Sequence, residues 1–283
     1  MTKVELNVIT SGNIPRSVKR DIESTFRDCY RRFGHRAPYK VEVLIVDRQS
    51  AMRVLLREEK VRRGITTSGD EEFICSHDAW RGYPRVICCL ERLNELSKLA
   101  RVGAVRHEAA HSALHGSLEY YIFSITEEYR HTAVIKGLDL SVLNQALYFV
   151  SVAVKDFEAT RFLVQHNFIN CQFAFALEWL QPSEQDKSAW KMAQENRQTK
   201  FIFLTALLKP MLFAHPLLAL PRSKDISLEY QVQLARRVEE LLEYLGNAER
   251  NRLLQVASMI AENSTDDTHR NVDSALRQAM SLA

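Results

Sequence analysis

Apolar positions along the first hundred residues alternate between two spacings, one typical of strands and the other of helices. Strand-like runs cover 4–9, 40–46, 73–76 and 85–90, and helical runs cover 15–33 and 51–62. From Glu91 onward nearly every segment has helical spacing. The pattern predicts an α+β fold, in which a small N-terminal mixed β-sheet with helices precedes a mostly helical C-terminal lobe. We expect the sheet subdomain to cover 1–101 and the helical lobe to cover 102–283.

The segment 15–33 has the clearest helical spacing of the N-terminal part. Its apolar residues share one face of a helix, and Gly34 follows as the expected stop; they are Ile22, Phe26, Cys29, Tyr30 and Phe33. Further helices are predicted over roughly 91–101, 103–116, 118–135, 140–166, 170–180, 185–208, 226–245, 247–262 and 267–281.

The run from Phe201 to Pro221 has the length and apolar character of a membrane span. Polar residues and prolines interrupt it, namely Lys209, Pro210, His215 and Pro216. The interruptions favour a buried helix that breaks at Lys209–Pro210, so membrane association is not expected.

Composition is that of an ordinary globular protein, with 46% hydrophobic and 26% charged residues among 283. The net charge of +3 gives no reason to expect a nucleic-acid partner. The five cysteines include no CxxC pair, and the N-terminal residues contain no apolar signal segment. We therefore expect free thiols and a cytoplasmic location.

The residues His107, Glu108 and His111 form the sequence HEAAH within a proline-free helical segment. An α-helix turns about 100° per residue, so side chains four positions apart lie on nearly the same face. Two imidazoles at that spacing can chelate one metal ion, and HExxH on a helix is the pattern of zinc metalloproteases. Glu108 points to the side of this pair, where it can take a proton from a metal-bound water. The alternative is an ordinary amphipathic helix with two hydrogen-bonded histidines.

The ten residues HEAAHSALHG, from His107 to Gly116, resemble the active-site helix of the zincin metallopeptidases. The extension HExxHxxxHG is most similar to gluzincin-like peptidases of the ImmA/IrrE type. The metzincin pattern is not followed, since it requires glycine and histidine where this chain has Leu114 and Ser117. The resemblance implies a zincin-like fold, a bound Zn²⁺ ion and hydrolysis of a peptide or protein substrate. It makes His107 and His111 zinc ligands and Glu108 the catalytic residue.

A catalytic zinc site has three protein ligands and one open position, so a third ligand is needed. His115 is the nearest candidate in sequence, but on a continuous helix it lies about 12 Å from His107 along the axis. Zinc–ligand bonds of about 2 Å cannot bridge that distance. We therefore expect His115 to stand beside the site at the C-terminal end of the helix, where the helix dipole favours it.

The segment 141–167 is a long helical run that is apolar on nearly all sides, which predicts a buried helix. Its C-terminal half nevertheless contains four charged residues: Lys155, Asp156, Glu158 and Arg161. Buried charges are costly unless they are paired or bind a metal. The third zinc ligand is therefore expected among the acidic residues of this helix.

In gluzincins the third ligand is a glutamate on a later helix, and the segment 157–162 resembles the Glu-Ala-x-x-Phe pattern of the ImmA/IrrE-type peptidases. The resemblance favours Glu158 as the third ligand. Asp156 is the alternative, and because it points about 200° away on the helix, only one of the two can face the metal. A salt bridge from Glu158 to Lys155 or Arg161 is the interpretation without a metal.

In the zincin family an edge strand before the HExxH helix holds the substrate in extended form, and Arg85 to Leu90 is the predicted counterpart. The active cleft is expected between sheet and helical lobe, and Trp80 and Tyr83 either line its rim or cap the core. The alternative function is a catalytically inactive zincin-fold binding or regulatory protein with a structural metal. Residue patterns leave open the substrate, the oligomeric state and the residue that stabilises the transition state.

Overall fold

The computed structural model describes residues 4–62, 64, 73–221 and 228–283. These residues form two compact units. The first contains the described residues up to Leu118 and the segment Gln165–Phe175. The second contains Glu119–Val164 and the described residues from Ala176 to Ala283. The HEAAH segment therefore belongs to the same unit as the N-terminal strands.

A four-stranded mixed sheet forms the base of the first unit, as the sequence predicts. Its strands are β1 (Glu5–Ser11), β2 (Lys40–Val46), β3 (Cys75–Asp78) and β4 (Arg85–Cys89), in the spatial order β1-β2-β4-β3. β1, β2 and β4 are parallel, whereas β3 pairs with β4 in the antiparallel direction. Helix α1 (Arg16–Phe33) connects β1 to β2, because parallel neighbours need a crossover, and α2 (Gln49–Arg62) follows β2.

Helix α1 confirms the face predicted from its spacing. Its buried residues are Ile22, Phe26, Cys29, Tyr30 and Phe33. It ends at Gly34, whose φ of 61° lies in the left-handed region that glycine adopts without steric cost.

The predicted edge strand from Arg85 to Leu90 is not at the edge. β4 lies between β2 and β3 and is hydrogen-bonded to both, so its backbone groups are already paired. Its five residues are all buried. Among the described residues, the edge strand beside the HExxH helix is instead β3, which a turn that includes Gly82, at φ 82°, connects to β4. β4 was predicted to be the edge strand because it is the last strand before the helix in sequence. In the structure, β3 folds back and pairs with the open side of β4.

The HEAAH residues lie on α4 (Lys98–Leu114), which follows the short helix α3 (Leu90–Leu93). Ser97 caps its start by accepting a hydrogen bond from the amide of Ala100, and His115 is the residue at its C-terminal cap. α4 packs against α1, β3 and β4. The hydroxyl groups of Tyr30 and Ser112 are 2.7 Å apart, and Ser112 donates to the carbonyl of Ala109, so a buried chain of hydrogen bonds ties α1 to α4.

The sequence predicts that one helix ends and the next begins near position 102, whereas α4 is continuous through this position. Gly103 allows a neighbouring helix to pack closely here. A Cβ atom at this position would overlap the carbonyl oxygen of Cys171 on α7 (Ile169–Trp179), and Gln172 donates its side-chain amide to the carbonyl of Gly103 at 3.0 Å. Glycine thus permits close backbone contact between α4 and the first half of α7.

We expect Gly103→Ala to lower the free energy of unfolding by about 1–3 kcal/mol, because the added methyl group overpacks this contact. In an unconstrained helix interior the same change would stabilise by about 0.5–1 kcal/mol. Urea denaturation measures the difference, with Lys98→Ala, an exposed position on the same helix, as control. A stabilised Gly103→Ala variant would show that the two helices can separate without cost.

In the described residues of the second unit, all regular secondary structure is helical. Its elements are α5 (Glu127–Ile135), most of α6 (Leu140–Gln165), the end of α7, α8 (Glu184–Ala193), α9 (Arg197–Ala206), α10 (Leu208–Leu218), α11 (Leu228–Leu241), α12 (Asn247–Glu262) and α13 (Thr268–Ala279), with a short 3₁₀ helix at Leu118–Tyr121 that begins in the first unit. The sequence predicts a helix from position 226, and residues 226–227 lie outside the described residues. This agrees with the predicted α+β class and helical C-terminal part.

The apolar run from Phe201 to Pro221 folds mainly as α9 and α10, which meet at Leu207 and not at the predicted Lys209–Pro210. Pro210 lies in the first turn of α10, where backbone amides have no partner within the helix, so proline is tolerated there. Taken together, α9 and α10 (Arg197–Leu218) are long and apolar enough to cross a membrane, and 56% of their most apolar window is buried. The bent pair α5 and α6 passes the same test only as one broken span, with a bend of 118°.

Candidate metal site

The two histidines of HEAAH face each other on α4. Their Nε2 atoms are 3.0 Å apart, and the side chains are buried, with 5% and 1% of their surfaces exposed for His107 and His111. Two nitrogens bound to one tetrahedral zinc at about 2.0–2.1 Å would be about 3.3 Å apart. The pair therefore has nearly the separation that chelation of a single ion requires.

A carboxylate completes a group that can bind a metal ion. His107, His111 and Asp156 each offer one ligand atom, and these atoms all lie within 4.8 Å of one another. All three residues are buried. Two imidazoles and one carboxylate are a donor set that catalytic zinc sites use, so the residues present fit such an ion.

The carboxylate of Glu158, the predicted third ligand, is bound to another helix in the structure. Its carboxylate accepts hydrogen bonds from Thr268 Oγ1 at 2.8 Å and from Asn271 Nδ2 at 2.5 Å, both on α13. Asp156, the alternative, takes its place in the candidate ligand set. Because the two residues point in very different directions on α6, the face that binds α13 cannot also supply the metal ligand.

Two lysines neighbour Asp156 within the second unit. Lys209 Nζ lies 3.7 Å from Asp156 Oδ2. Lys155 is buried, and its ammonium group donates to the carbonyl of Tyr120 at 3.3 Å and lies 4.4 Å from the centre of the Tyr121 ring. Burial lowers the pKa of Lys155 to about 8, while the neighbouring carboxylates of Asp156 and Glu158 act in the opposite direction.

His115 supports His111 from the end of α4. The Nδ1 atoms of the two rings are 3.1 Å apart, and His115 is fully buried. One of these nitrogens donates a proton and the other accepts it, which orients the His111 ring with Nε2 toward His107. A hydrogen bond to the second ring nitrogen is the usual way in which a protein holds a metal-binding histidine. The neighbouring role expected for His115 agrees with this contact.

Glu108 lies beside the histidine pair and contacts a residue that the sequence analysis did not identify. His77 Nδ1 on β3 is 2.9 Å from Glu108 Oε2. The His77 ring also stacks on the His111 ring, with centroids 3.8 Å apart and an interplanar angle of 12°. His77 lies in the four-residue strand CSHD, 30 positions before His107. Neither its spacing from HEAAH nor the periodicity of the strand identifies it as a site residue.

Tyr129, His131 and His166 could each donate a hydrogen bond to a transition state, and two of them make structural contacts instead. The hydroxyl of Tyr129 donates to Asp273 at 2.8 Å, and the His166 ring packs edge-on against Phe33 at 5.2 Å. His131 is exposed. These contacts favour structural roles for Tyr129 and His166.

The five cysteines are free and buried. Burial raises the pKa of Cys29, and a hydrogen bond with Cys88, followed by burial, raises the pKa of Cys75. The group that can bind a metal ion is instead made of the nitrogen and oxygen donors of His107, His111 and Asp156.

No protein-family model, curated protein or solved structure matches this chain. The functional argument therefore depends on the residues of the site and on the short resemblance of the HEAAHSALHG segment.

Proposed function

We propose that this protein is a zinc-dependent metallopeptidase of the zincin type. His107, His111 and Asp156 would bind the zinc, and Glu108 would be the catalytic base. The observation that carries the proposal is the grouping of these three buried ligands, two of them on the HExxH helix. The α+β fold, with its small mixed sheet next to that helix, supports it.

The donor set favours a catalytic over a structural ion. Structural zinc sites have four protein ligands, whereas catalytic sites have three and leave a position for water. The group found among the described residues has three members. A binding or regulatory protein with a structural metal would need a fourth ligand, and His115, the nearest candidate, turns its Nδ1 toward His111.

In this proposal, different residues of the chain bind the metal and transfer the proton during hydrolysis. A bound zinc ion supplies an acidified water and polarises the scissile carbonyl. Glu108 takes a proton from that water and delivers it to the nitrogen of the departing amine. His107 and His111 are held by α4, and His115 orients His111, so that the ligands need little rearrangement.

We further propose that the substrate is a peptide or protein held in extended form along β3. β3 is hydrogen-bonded to β4 on one side, and in the described part of the chain no strand pairs with its other side. An extended peptide can add to such an edge through main-chain hydrogen bonds. A cytoplasmic location fits the five free thiols, because reducing compartments keep cysteines unpaired.

Elemental analysis of the purified protein tests the metal site directly. We expect about one zinc per chain, as a single three-ligand site binds one ion. The His107→Ala variant should lose it, while His131→Ala, an exposed histidine, should retain it. No zinc in the wild-type protein after reconstitution would reject the metallopeptidase. Equal zinc in wild type and His107→Ala would place the ion elsewhere.

A further inference from the structure

We propose that His77 is the positioning residue for the catalytic base, holding Glu108 by a hydrogen bond from Nδ1–H to Oε2. The inference rests on the proposed function, because it assigns Glu108 the role of base. It adds a residue from the edge strand to a site otherwise built from helices.

The contact has the form of an orienting hydrogen bond. His77 Nδ1 and Glu108 Oε2 are 2.9 Å apart, and only 17% and 11% of the two side chains are exposed. An ionised carboxylate only accepts hydrogen bonds, so the proton in this contact belongs to Nδ1. Limited exposure reduces competition from water, which makes the contact stronger and more persistent than a surface pair.

A hydrogen bond that holds Oε2 of Glu108 leaves Oε1 as the oxygen that can act as the base. A glutamate on a helix turns freely about its side-chain bonds unless a partner fixes it. With Oε2 held by His77, Oε1 is the oxygen that accepts the proton when an O–H bond of the attacking water breaks. The same proton then passes from Oε1 to the leaving nitrogen as the C–N bond breaks. Glu108 ends the cycle as a carboxylate, and His77 retains its own proton throughout.

The strand that carries His77 is itself well fixed. Residue 77 pairs with Val86 in the β3–β4 ladder, and the next residue, Asp78, binds the buried guanidinium of Arg85 at 2.7 and 3.0 Å. The His77 ring also stacks on the His111 ring. One side chain thus touches both the base and a candidate metal ligand, which is the kind of rigid support that a catalytic geometry needs.

Two substitutions separate the hydrogen bond from the stacking. His77→Asn can place an amide N–H near the position of Nδ1 and so retain the donor. His77→Phe retains a flat ring against His111 but has no donor. Glu108→Gln gives the lower limit of activity, and zinc content and thermal unfolding are measured for every variant.

Kinetics are measured on the fastest-cleaved member of a quenched fluorescent peptide pool. We expect His77→Phe to retain zinc and KM but to lower kcat by about 10–100-fold. His77→Asn should restore most of the lost kcat. Binding of acetohydroxamate to the zinc protein gives a second readout that needs no substrate, because this chelator donates a hydrogen bond to the base. Its affinity should fall about tenfold in His77→Phe, the loss expected for one misplaced hydrogen bond, and recover in His77→Asn.

Unchanged kcat and unchanged acetohydroxamate affinity in His77→Phe would overturn the proposal and leave the metallopeptidase intact. Loss of zinc in both variants would also overturn it, since His77 would then be a metal ligand. Failure of the wild-type zinc protein to bind acetohydroxamate would remove the open metal position on which both proposals depend. Equal losses in His77→Asn and His77→Phe would show that the hydrogen bond is not the cause.

Discussion

Glu108→Gln is expected to abolish peptide hydrolysis while the protein retains its zinc. The amide has nearly the shape of the carboxylate but cannot take a proton from water, and a positioned general base contributes about 10²–10⁴-fold to the rate. Glu108 is not among the three candidate ligands, so metal content should stay at the wild-type value. Peptide-pool hydrolysis and elemental analysis on the same preparations measure both quantities.

Glu95→Gln is a suitable control for this variant, because Glu95 is an exposed carboxylate that pairs with Arg92 on the surface. Its activity and zinc content should match those of the wild type. Hydrolysis that persists in Glu108→Gln would reject the mechanism. Zinc lost from Glu108→Gln would indicate that Glu108 is itself a ligand.

Asp156→Asn and Glu158→Gln should have opposite effects, although the two positions lie on one helix. Asp156→Asn removes an anionic zinc ligand, and we expect zinc affinity to fall by about 100-fold, the upper end of losses seen even for residues that support ligands. Glu158→Gln should leave zinc affinity unchanged and lower the free energy of unfolding by about 1–3 kcal/mol. The reason is that each oxygen of the buried carboxylate accepts a hydrogen bond from α13, whereas the amide has one acceptor oxygen and no negative charge to strengthen these bonds.

Competition with a zinc-binding dye and urea denaturation, applied to both variants, distinguish the two roles. If Glu158→Gln loses zinc and Asp156→Asn does not, the choice suggested by the family resemblance would be correct and the assignment from the structure would not. Loss of zinc in both would mean that the packing of α13 on α6 also controls the ligand.

Much of the fold follows from local patterns. The apolar face of α1 is the predicted one, because residues at helical spacing must share a side of the helix whatever they pack against. The length of α6 also agrees within a residue with the predicted 140–166. The predicted helix over 118–135 instead contains a short 3₁₀ helix and α5, separated by an irregular segment. Propensity alone does not locate such breaks, because tertiary contacts decide where a marginal helix ends.

In the candidate site, too, some features follow from local sequence and others depend on tertiary contacts. The grouping of His107, Glu108 and His111 depends only on helical geometry, so sequence spacing predicts it. The choice between Asp156 and Glu158 depends on which face of α6 meets α13, a property of packing that the sequence of α6 does not contain. The resemblance favoured Glu158, yet the hydrogen bonds from Thr268 and Asn271, more than a hundred positions later, occupy that carboxylate.

By itself, the sequence determined the α+β class, the amphipathic faces of its clearest helices and the pair of histidines one turn apart with a carboxylate beside them. These are short-range properties, set by backbone geometry and by the spacing of apolar and polar side chains. The tertiary structure decided that β3 and not β4 is the edge strand among the described residues, that Thr268 and Asn271 bind the Glu158 carboxylate, and that His77 reaches Glu108. Each of these depends on contacts between residues far apart in the chain, where strand pairing and helix packing, and not local periodicity, determine which side chains meet.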